Sequence, residues 1–354
     1  MSQQRTYLRL IFATTDITED ITPDLLSFSY TDNESAEADT INITLKDEKG
    51  KWTGRWSPDH GETIKASIIP GTVEGPGRRK LDCGTFYVDS LRTSGAPRTC
   101  EIGGVSVPLD MPIRRKTKTR AWEKKTLKGI AQQIAGEAKL SLFWDTGDNN
   151  PTYDREDQKR ESDLGFLMRL CQSAGLSLKV TDTKLVIFDQ SAYEKKPAVM
   201  TLTLGESEIL SWDFSAAISE RYKSVTVKYR DPKALAVAAR VDESIRATDV
   251  KCIEYTYTDP EVDSSGQDYE MKTRAKTIDE AKRLARAKIR ELNRRAITGT
   301  LTLIGDIRLA AGIVLNLKGF GSFDGKFFTT QAEHSVGSGG FTTTINVTRC
   351  STKY

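Results

Sequence analysis

Only two histidines, His60 and His334, occur in the 354 residues of this chain. Imidazole acid–base catalysis or a histidine zinc site therefore has little material. His60 sits in Ser57-Pro58-Asp59-His60-Gly61, which has the composition of a turn. His334, in Glu333-His334-Ser335, is read as lying between the two strands of a C-terminal hairpin. The five cysteines, Cys83, Cys100, Cys171, Cys252 and Cys350, are scattered, odd in number and form no Cys-x-x-Cys pair. That pattern argues against a disulfide framework. It predicts buried small hydrophobes rather than interface thiols or ligands of a shared metal cluster.

Long apolar runs are also missing, and none approaches the roughly 20 residues that span a bilayer. The opening Met1-Ser2-Gln3-Gln4-Arg5-Thr6 lacks the apolar stretch and cleavage site of a secretory signal, so assembly in the cytoplasm is expected. A formal charge of +3 is too small to call for nucleic acid or membrane by itself. There is no Gly-x-Ser-x-Gly between a strand and a helix, and Gly319-Phe320-Gly321 lacks the lysine of a phosphate loop and reads as a β turn. No catalytic, cofactor-binding or metal-ligating residues are assigned, and no cofactor is expected.

What is present is a real core and a repeated pattern. Hydrophobic residues make up 38% and charged residues 29%, as in a soluble globular protein, and the length allows two or three domains. Gly61-Glu62-Thr63-Ile64-Lys65-Ala66, then Gly84-Thr85-Phe86-Tyr87-Val88-Asp89-Ser90-Leu91, then Thr99-Cys100-Glu101-Ile102 form one series. Gly312-Ile313-Val314-Leu315-Asn316-Leu317, then Gly325-Lys326-Phe327-Phe328-Thr329-Thr330-Gln331-Ala332, then Thr342-Thr343-Thr344-Ile345 form another. Each runs glycine turn, strand, glycine turn, aromatic strand, Thr-rich return strand. Two similar β units in one chain offer two equivalent subunit-like surfaces, and a trimer would offer six.

Local patterns fill in the rest. Tyr7–Phe12, Leu26–Tyr30 and the strictly alternating Thr40–Leu45 predict strands. Glu74-Gly75-Pro76-Gly77 reads as a hairpin tip or loop. A helix capped by Thr126 carries Leu127, Ile130, Ile134 and Ala138. A second starts at Ser162 and ends at Gly175, with Phe166, Leu167, Leu170 and Ala174 on its apolar face. Leu176–Val180 and Leu185–Phe188 predict a hairpin, while Met200–Leu204 and Tyr222–Tyr229 predict further strands. Ala234–Val241 is ambiguous between helix and strand. Thr277-Ile278-Asp279-Glu280 is a capping box opening a helix striped by Ile278, Ala281, Ala285, Ile289 and Leu292.

Two charged features invite a chemical reading. Asp154, Glu156, Asp157, Glu161 and Asp163 alternate with Arg155, Lys159 and Arg160, a solvated surface rather than a glycosidase pair. The stretch from Arg114 to Lys128 holds eight Lys/Arg against Glu123 alone, and the helix at 278–293 has a basic face. Without a recognised base-reading element these read as linker and surface, with weak non-specific DNA contact or subunit contact as the alternative.

Taken in order, the chain resembles a known family. The series runs through Ala38–Asp47, Trp56–Gly61, Cys83–Asp89, Lys125–Ala135, Glu161–Leu170, Leu309–Gly312, Gly319–Gly325, His334 and Gly340–Thr343. It is similar to the phage late control D family, the baseplate hub proteins of contractile phage tails and tail-like injection particles. The resemblance implies an α+β, predominantly β fold: two tube-like β-barrel domains of similar fold plus an inserted α/β domain. The first barrel would be residues 1–112. The α/β domain would be 113–198, with 232–296 packed against it. The second barrel would be split between 199–231 and 297–354. It further implies a homotrimeric, pseudo-sixfold ring in a virion or tail-like particle, joining a central spike to the tail tube. Implied partners are the spike, the tube protein or its initiator, the tape measure protein and baseplate wedge proteins. Because the sequence stops at Tyr354, the spike is expected to be a separate protein. The alternative function is a tail-associated cell-wall-degrading enzyme, and a basic DNA-binding regulator is the third reading.

Overall fold

The computed structural model describes residues 6–35, 37–71, 80–107, 111–217, 221–229, 253–262, 266–275 and 277–351. The expectations for Glu74–Gly77 and Ala234–Val241 lie outside these residues.

The N-terminal part is a run of seven strands: β1 (Tyr7–Phe12), β2 (Thr15–Asp16), β3 (Leu25–Asn33), β4 (Thr40–Lys46), β5 (Thr63–Ile69), β6 (Leu81–Ser94) and β7 (Thr99–Val105). In β4 the alternation predicted from sequence is realised, with Ile41, Ile43 and Leu45 inside and Asn42 and Lys46 outside. Phe28, Phe86, Leu10 and Ile68 complete this core.

The middle of the chain changes texture as expected, but differently in detail. The basic stretch is not a linker. After a single helical turn, Pro112–Arg115, it becomes β8 (Thr117–Thr126) and pairs antiparallel with β10 (Thr152–Ser162) in a two-stranded ribbon. Between them lie helix α1 (Leu127–Glu137) and β9 (Ser141–Asp145). Helix α2 (Asp163–Ala174) follows, then the hairpin β11 (Ser177–Val180) and β12 (Lys184–Phe188), with β9 parallel to β12. Thr126 caps α1 by accepting from the Gly129 amide, and Ser162 caps α2 by accepting from Gly165. Gly175 ends α2 at φ 71°, a left-handed conformation that favours glycine. Leu127, Ile130, Ile134, Phe166, Leu170 and Ile187 form the core of this unit.

Strands then resume with β13 (Met200–Thr203), β14 (Ile209–Ala216), β15 (Tyr222–Tyr229), β16 (Ile253–Thr258) and β17 (Gln267–Ala275). Helix α3 (Ile278–Asn293), capped by Thr277, lays Ala281, Leu284, Ala285 and Ile289 on Val225 and Val227 of the small sheet β16-β15-β17. The chain closes with β18 (Ile297–Ile304), β19 (Val314–Lys318), β20 (Gly325–Gly337) and β21 (Gly340–Arg349). His334 thus lies inside β20 and not between the strands of the hairpin.

Both terminal regions belong to one 13-stranded sheet, ordered β14-β18-β21-β20-β3-β4-β7-β6-β5-β1-β2, with β13 and β19 branching from β20. Among the described residues this path is open, and no pairing closes a barrel. The fold is mostly β, with the longer helices carried in the middle of the chain.

The two ends of the sheet match strand for strand. From β1 the order is β1-β5-β6-β7-β4-β3; from β13 it is β13-β19-β20-β21-β18-β14. Register agrees as well. Thr63 faces Tyr87 and Ala66 faces Gly84, as Val314 faces Phe328 and Leu317 faces Gly325. A bulge falls between Val88 and Ser90 on β6, and another between Thr329 and Gln331 on β20. Those are equivalent positions in the two sequence series. β3 bulges between Leu25 and Ser27 against β4, and β14 between Ile209 and Ser211 against β18. Bulges set strand bend and twist, so matched bulges mean matched curvature. One pairing differs: β1 runs antiparallel to β5, whereas β13 runs parallel to β19.

Ile43 on β4 and Leu301 on β18 are equivalent and both fully buried. Truncating either to alanine is expected to destabilise the chain by about 2–5 kcal/mol in chemical denaturation, with similar losses at the two positions.

Candidate assembly surfaces

Strand β3 and the last part of β20 form the seam between the two matched halves. They pair antiparallel from Gln331–Asn33 to Gly337–Ser27. The core side of this seam is aromatic. His334 faces Tyr30 across the strands and stacks on it, ring centroids 6.1 Å apart, and packs on Phe341 at 6.0 Å. Its Nε2 lies 3.0 Å from the Leu309 carbonyl, and its Nδ1 lies 3.1 Å from the Thr343 hydroxyl. A carbonyl can only accept, so Nε2 carries the proton and neutral Nδ1 accepts from Thr343. Burial pulls this imidazole below its usual pKa, against weaker opposing effects from Leu309, Asp32 and Asp306.

A polar knot fastens the end of the seam. Lys179 on β11 reaches Asp32 at 2.6 Å and Asp39 at 2.9 Å. Asp32 also accepts from the Ala311 amide at 2.9 Å, and Asp39 from the Asn33 amide at 2.9 Å. Glu34 accepts from Ser177 at 3.0 Å and pairs with Arg294, just past α3, at 2.8 Å. Gln331 donates to Asn33 and accepts from Asn346, both at 2.8 Å. Four parts of the chain meet here: both halves of the large sheet, the α1/α2 unit and the end of α3. Burial works against the Lys179 ammonium, but Asp32 and Asp39 outweigh it and hold its pKa above the ordinary value. Sequence reading missed this knot, because its members are single charges scattered from Asp32 to Arg294.

The charged stretches have their partners inside the chain. On the β8/β10 ribbon, Lys118 lies 2.8 Å from Glu137 and 2.5 Å from Asp163. Arg120 lies 2.9 Å and 2.7 Å from the same carboxylates, with its guanidinium over the Trp122 ring. Burial opposes the charge on Glu137, but hydrogen bonds from Lys118 and Arg120 prevail and bring its pKa down to about 2. Arg169 pairs with Glu156 and Glu161, and Arg155 with Asp157. The carboxylates from Glu156 to Asp163 are thus ribbon clasps. Arg115, Lys116, Lys124 and Lys125 stay exposed. On α3, Arg290 is used on Glu194 at 2.7 Å. Lys282, Arg283 and Arg286 line an open cleft of about 1510 Å³ between α2, α3 and the large sheet. Cys83, Cys100, Cys171 and Cys350 are free and buried, as predicted. Burial pushes the Cys171 thiol up to about 12.

Solved tail proteins share this fold. The 43 kDa tail protein of prophage MuSo2 from Shewanella oneidensis superposes with a TM-score of 0.73 at 14% identity, covering 97% of this chain and 98% of that one. The tail protein from Neisseria meningitidis MC58 gives 0.71 at 13% identity, with 98% and 97% covered. The E. coli c3393 protein, a component of the type VI secretion system, gives 0.55 at 12% identity, with 94% and 75% covered. The fold is therefore one shared by phage tails and tail-like secretion systems.

The family is narrower than the fold. The model of the phage tail baseplate hub (GPD) family matches residues 107–340, more than half of the sequence, and the chain belongs to that family. Two proteins named "Probable baseplate hub protein", from Escherichia phages 186 and P2, are 27% identical over 225 and 231 residues. These matches cover 62% and 63% of this chain, and 55% and 57% of the relatives. The chain spans about half the length of the curated relatives it matches. The resemblance read from the motifs is borne out.

Two outcomes follow from the seam. Lys179→Met strands two largely buried carboxylates and is expected to cost about 3–5 kcal/mol in urea denaturation. For His334 the folded pKa lies below the unfolded 6.5, so the unfolded chain binds the extra proton first. Its contribution is complete above that pH and is lost as the pH falls below it. Melting temperatures between pH 7 and pH 5 should therefore decline more steeply for the wild type than for His334→Gln.

Proposed function

We propose that this chain is the hub of a contractile tail or tail-like particle, three copies closing a ring of six similar β units around an axial channel. The ring presents a near-sixfold face to the tail tube and a threefold face to the central spike. One observation carries this reading: the two halves of the large sheet agree in strand order, register and bulge position. Matched curvature is what lets two units of one chain occupy equivalent places in a ring, and closed rings satisfy every such interface.

The division of labour follows the cores. Residues 1–112 form the first ring unit, and 199–231 with 297–354 the second. Residues 113–198, with 232–296 packed against them, sit outside the ring and face the wedge proteins of the baseplate. Tape measure protein and passing DNA meet only the channel, the latter through weak, salt-sensitive contacts. Assembly takes place in the bacterial cytoplasm.

Mass measurement of the purified protein tests the proposal. A trimer of the 39.4 kDa chain is expected at micromolar concentration, alone or with its spike. A monomer under both conditions contradicts the ring.

A further inference from the structure

The seam between β3 and β20 has an unfilled counterpart in the same chain. On β20 the outer edge is held by β19 as far as Thr329, whose amide and carbonyl bond Ile313 and Gly312. From Gln331 onward that edge is taken by β3. On β6 the outer edge is held by β5 as far as Val88, whose amide and carbonyl bond Glu62 and Gly61 in the same arrangement. From Ser90 onward no described strand takes it. The strand equivalent to β3 is β14, and β14 is the last strand of the sheet, paired only with β18. One chain therefore carries both halves of a second seam, at opposite ends of its sheet.

Burial marks the same two edges. Phe28 on β3 is fully buried, while its equivalent on β14, Trp212, is 48% exposed. Ala332 on β20 is fully buried, while its equivalent on β6, Leu91, is 43% exposed. Residues 90–94 of β6 are all exposed, and so is most of β14. Phe214 on β14 is held against Gly299, where a Cβ would come within 2.1 Å of its ring, so the aromatic side of this strand is already formed. A long edge strand with exposed Leu210 and Trp212 invites pairing with another chain.

We infer that β14 of one copy pairs antiparallel with the outer edge of β6 in the next, in the register of the internal seam. This rests on the ring reading above and supplies its contacts. Transferring the pairs Gln331–Asn33 to Ser335–Ser29 places Ser90 opposite Ala217, Leu91 opposite Ala216, Arg92 opposite Ser215, Thr93 opposite Phe214 and Ser94 opposite Asp213. Trp212 then falls over the hairpin turn that starts at Gly95, the residue that leaves most room for an indole. Arg92 and Asp213 share a face as diagonal neighbours, within reach of a long side chain. Neither makes an ion pair inside the chain among the described residues.

Cysteine cross-linking of the full chain tests the register. In a Cys252→Ser background, whose remaining cysteines are buried, one variant carries Ser94→Cys with Asp213→Cys. The control carries Ser90→Cys with Asp213→Cys, displaced by roughly 13 Å along the strand. Directly opposed residues lie within disulfide range. The first variant is expected to oxidise at least tenfold faster into covalent dimers and closed trimers. A trimeric mass with no cross-link, or with the control linking as fast, overturns the register and leaves the ring. Absence of any assembly, by mass and by cross-linking, overturns both.

Discussion

Antiparallel pairing of β3 with β20 is the contact on which the rest of the structure depends. It turns two separate β cores into one continuous sheet. Its inner side is sealed by Tyr30, His334 and Phe341, and its end is fastened by Lys179 between Asp32 and Asp39. Backbone hydrogen bonds give the seam direction, the aromatic stack excludes water, and the ion pairs tie it to the α1/α2 unit. A buried charged knot is a poor source of net stability compared with apolar packing. What the knot does supply is alignment, since a shift by one residue would part Asp32 from the Ala311 amide and Asn33 from Gln331.

The seam also explains why one chain should contain two alike units. A strand edge is a self-sufficient recognition surface when its register is set by bulges and alternating burial. Leu26 and Leu210 occupy equivalent bulges, and β4 and β18 bury equivalent positions in the same alternation. In the proposed ring the internal seam serves as the template for neighbour contacts. The α1/α2 and α3 units are carried in the middle of the chain. Those units are held by clasps such as Arg290–Glu194 and Arg294–Glu34, which also account for part of the basic face that α3 shows in sequence.

Much of this was legible in the residues, for definite reasons. Thr126, Ser162, Gly175 and Thr277 announce helix ends because capping is local chemistry. The glycine–aromatic–threonine series aligned the two halves correctly because each element of it sets a turn, a core side chain or a bulge. The β8/β10 ribbon was not legible. Its strands read as Thr-Lys-Thr-Arg-Ala-Trp-Glu-Lys-Lys-Thr and Thr-Tyr-Asp-Arg-Glu-Asp-Gln-Lys-Arg-Glu-Ser, and they are held by charge pairs to α1 and α2 that no single stretch reveals. His334 was misplaced because a hydrophilic residue flanked by Glu333 and Ser335 resembles a loop, yet both ring nitrogens are satisfied inside β20. The seam itself joins residues some 300 apart, such as Gln331 and Asn33, and pairings of that span leave no local trace.

The most direct test of the account is an averaged electron-microscopic projection of the purified assembly down its axis. Two alike halves of the large sheet in each chain predict an inner ring of six near-equal densities, with three larger features outside it. Three widely unequal pairs within the ring, or an assembly that does not close, would contradict the equivalence of the two halves.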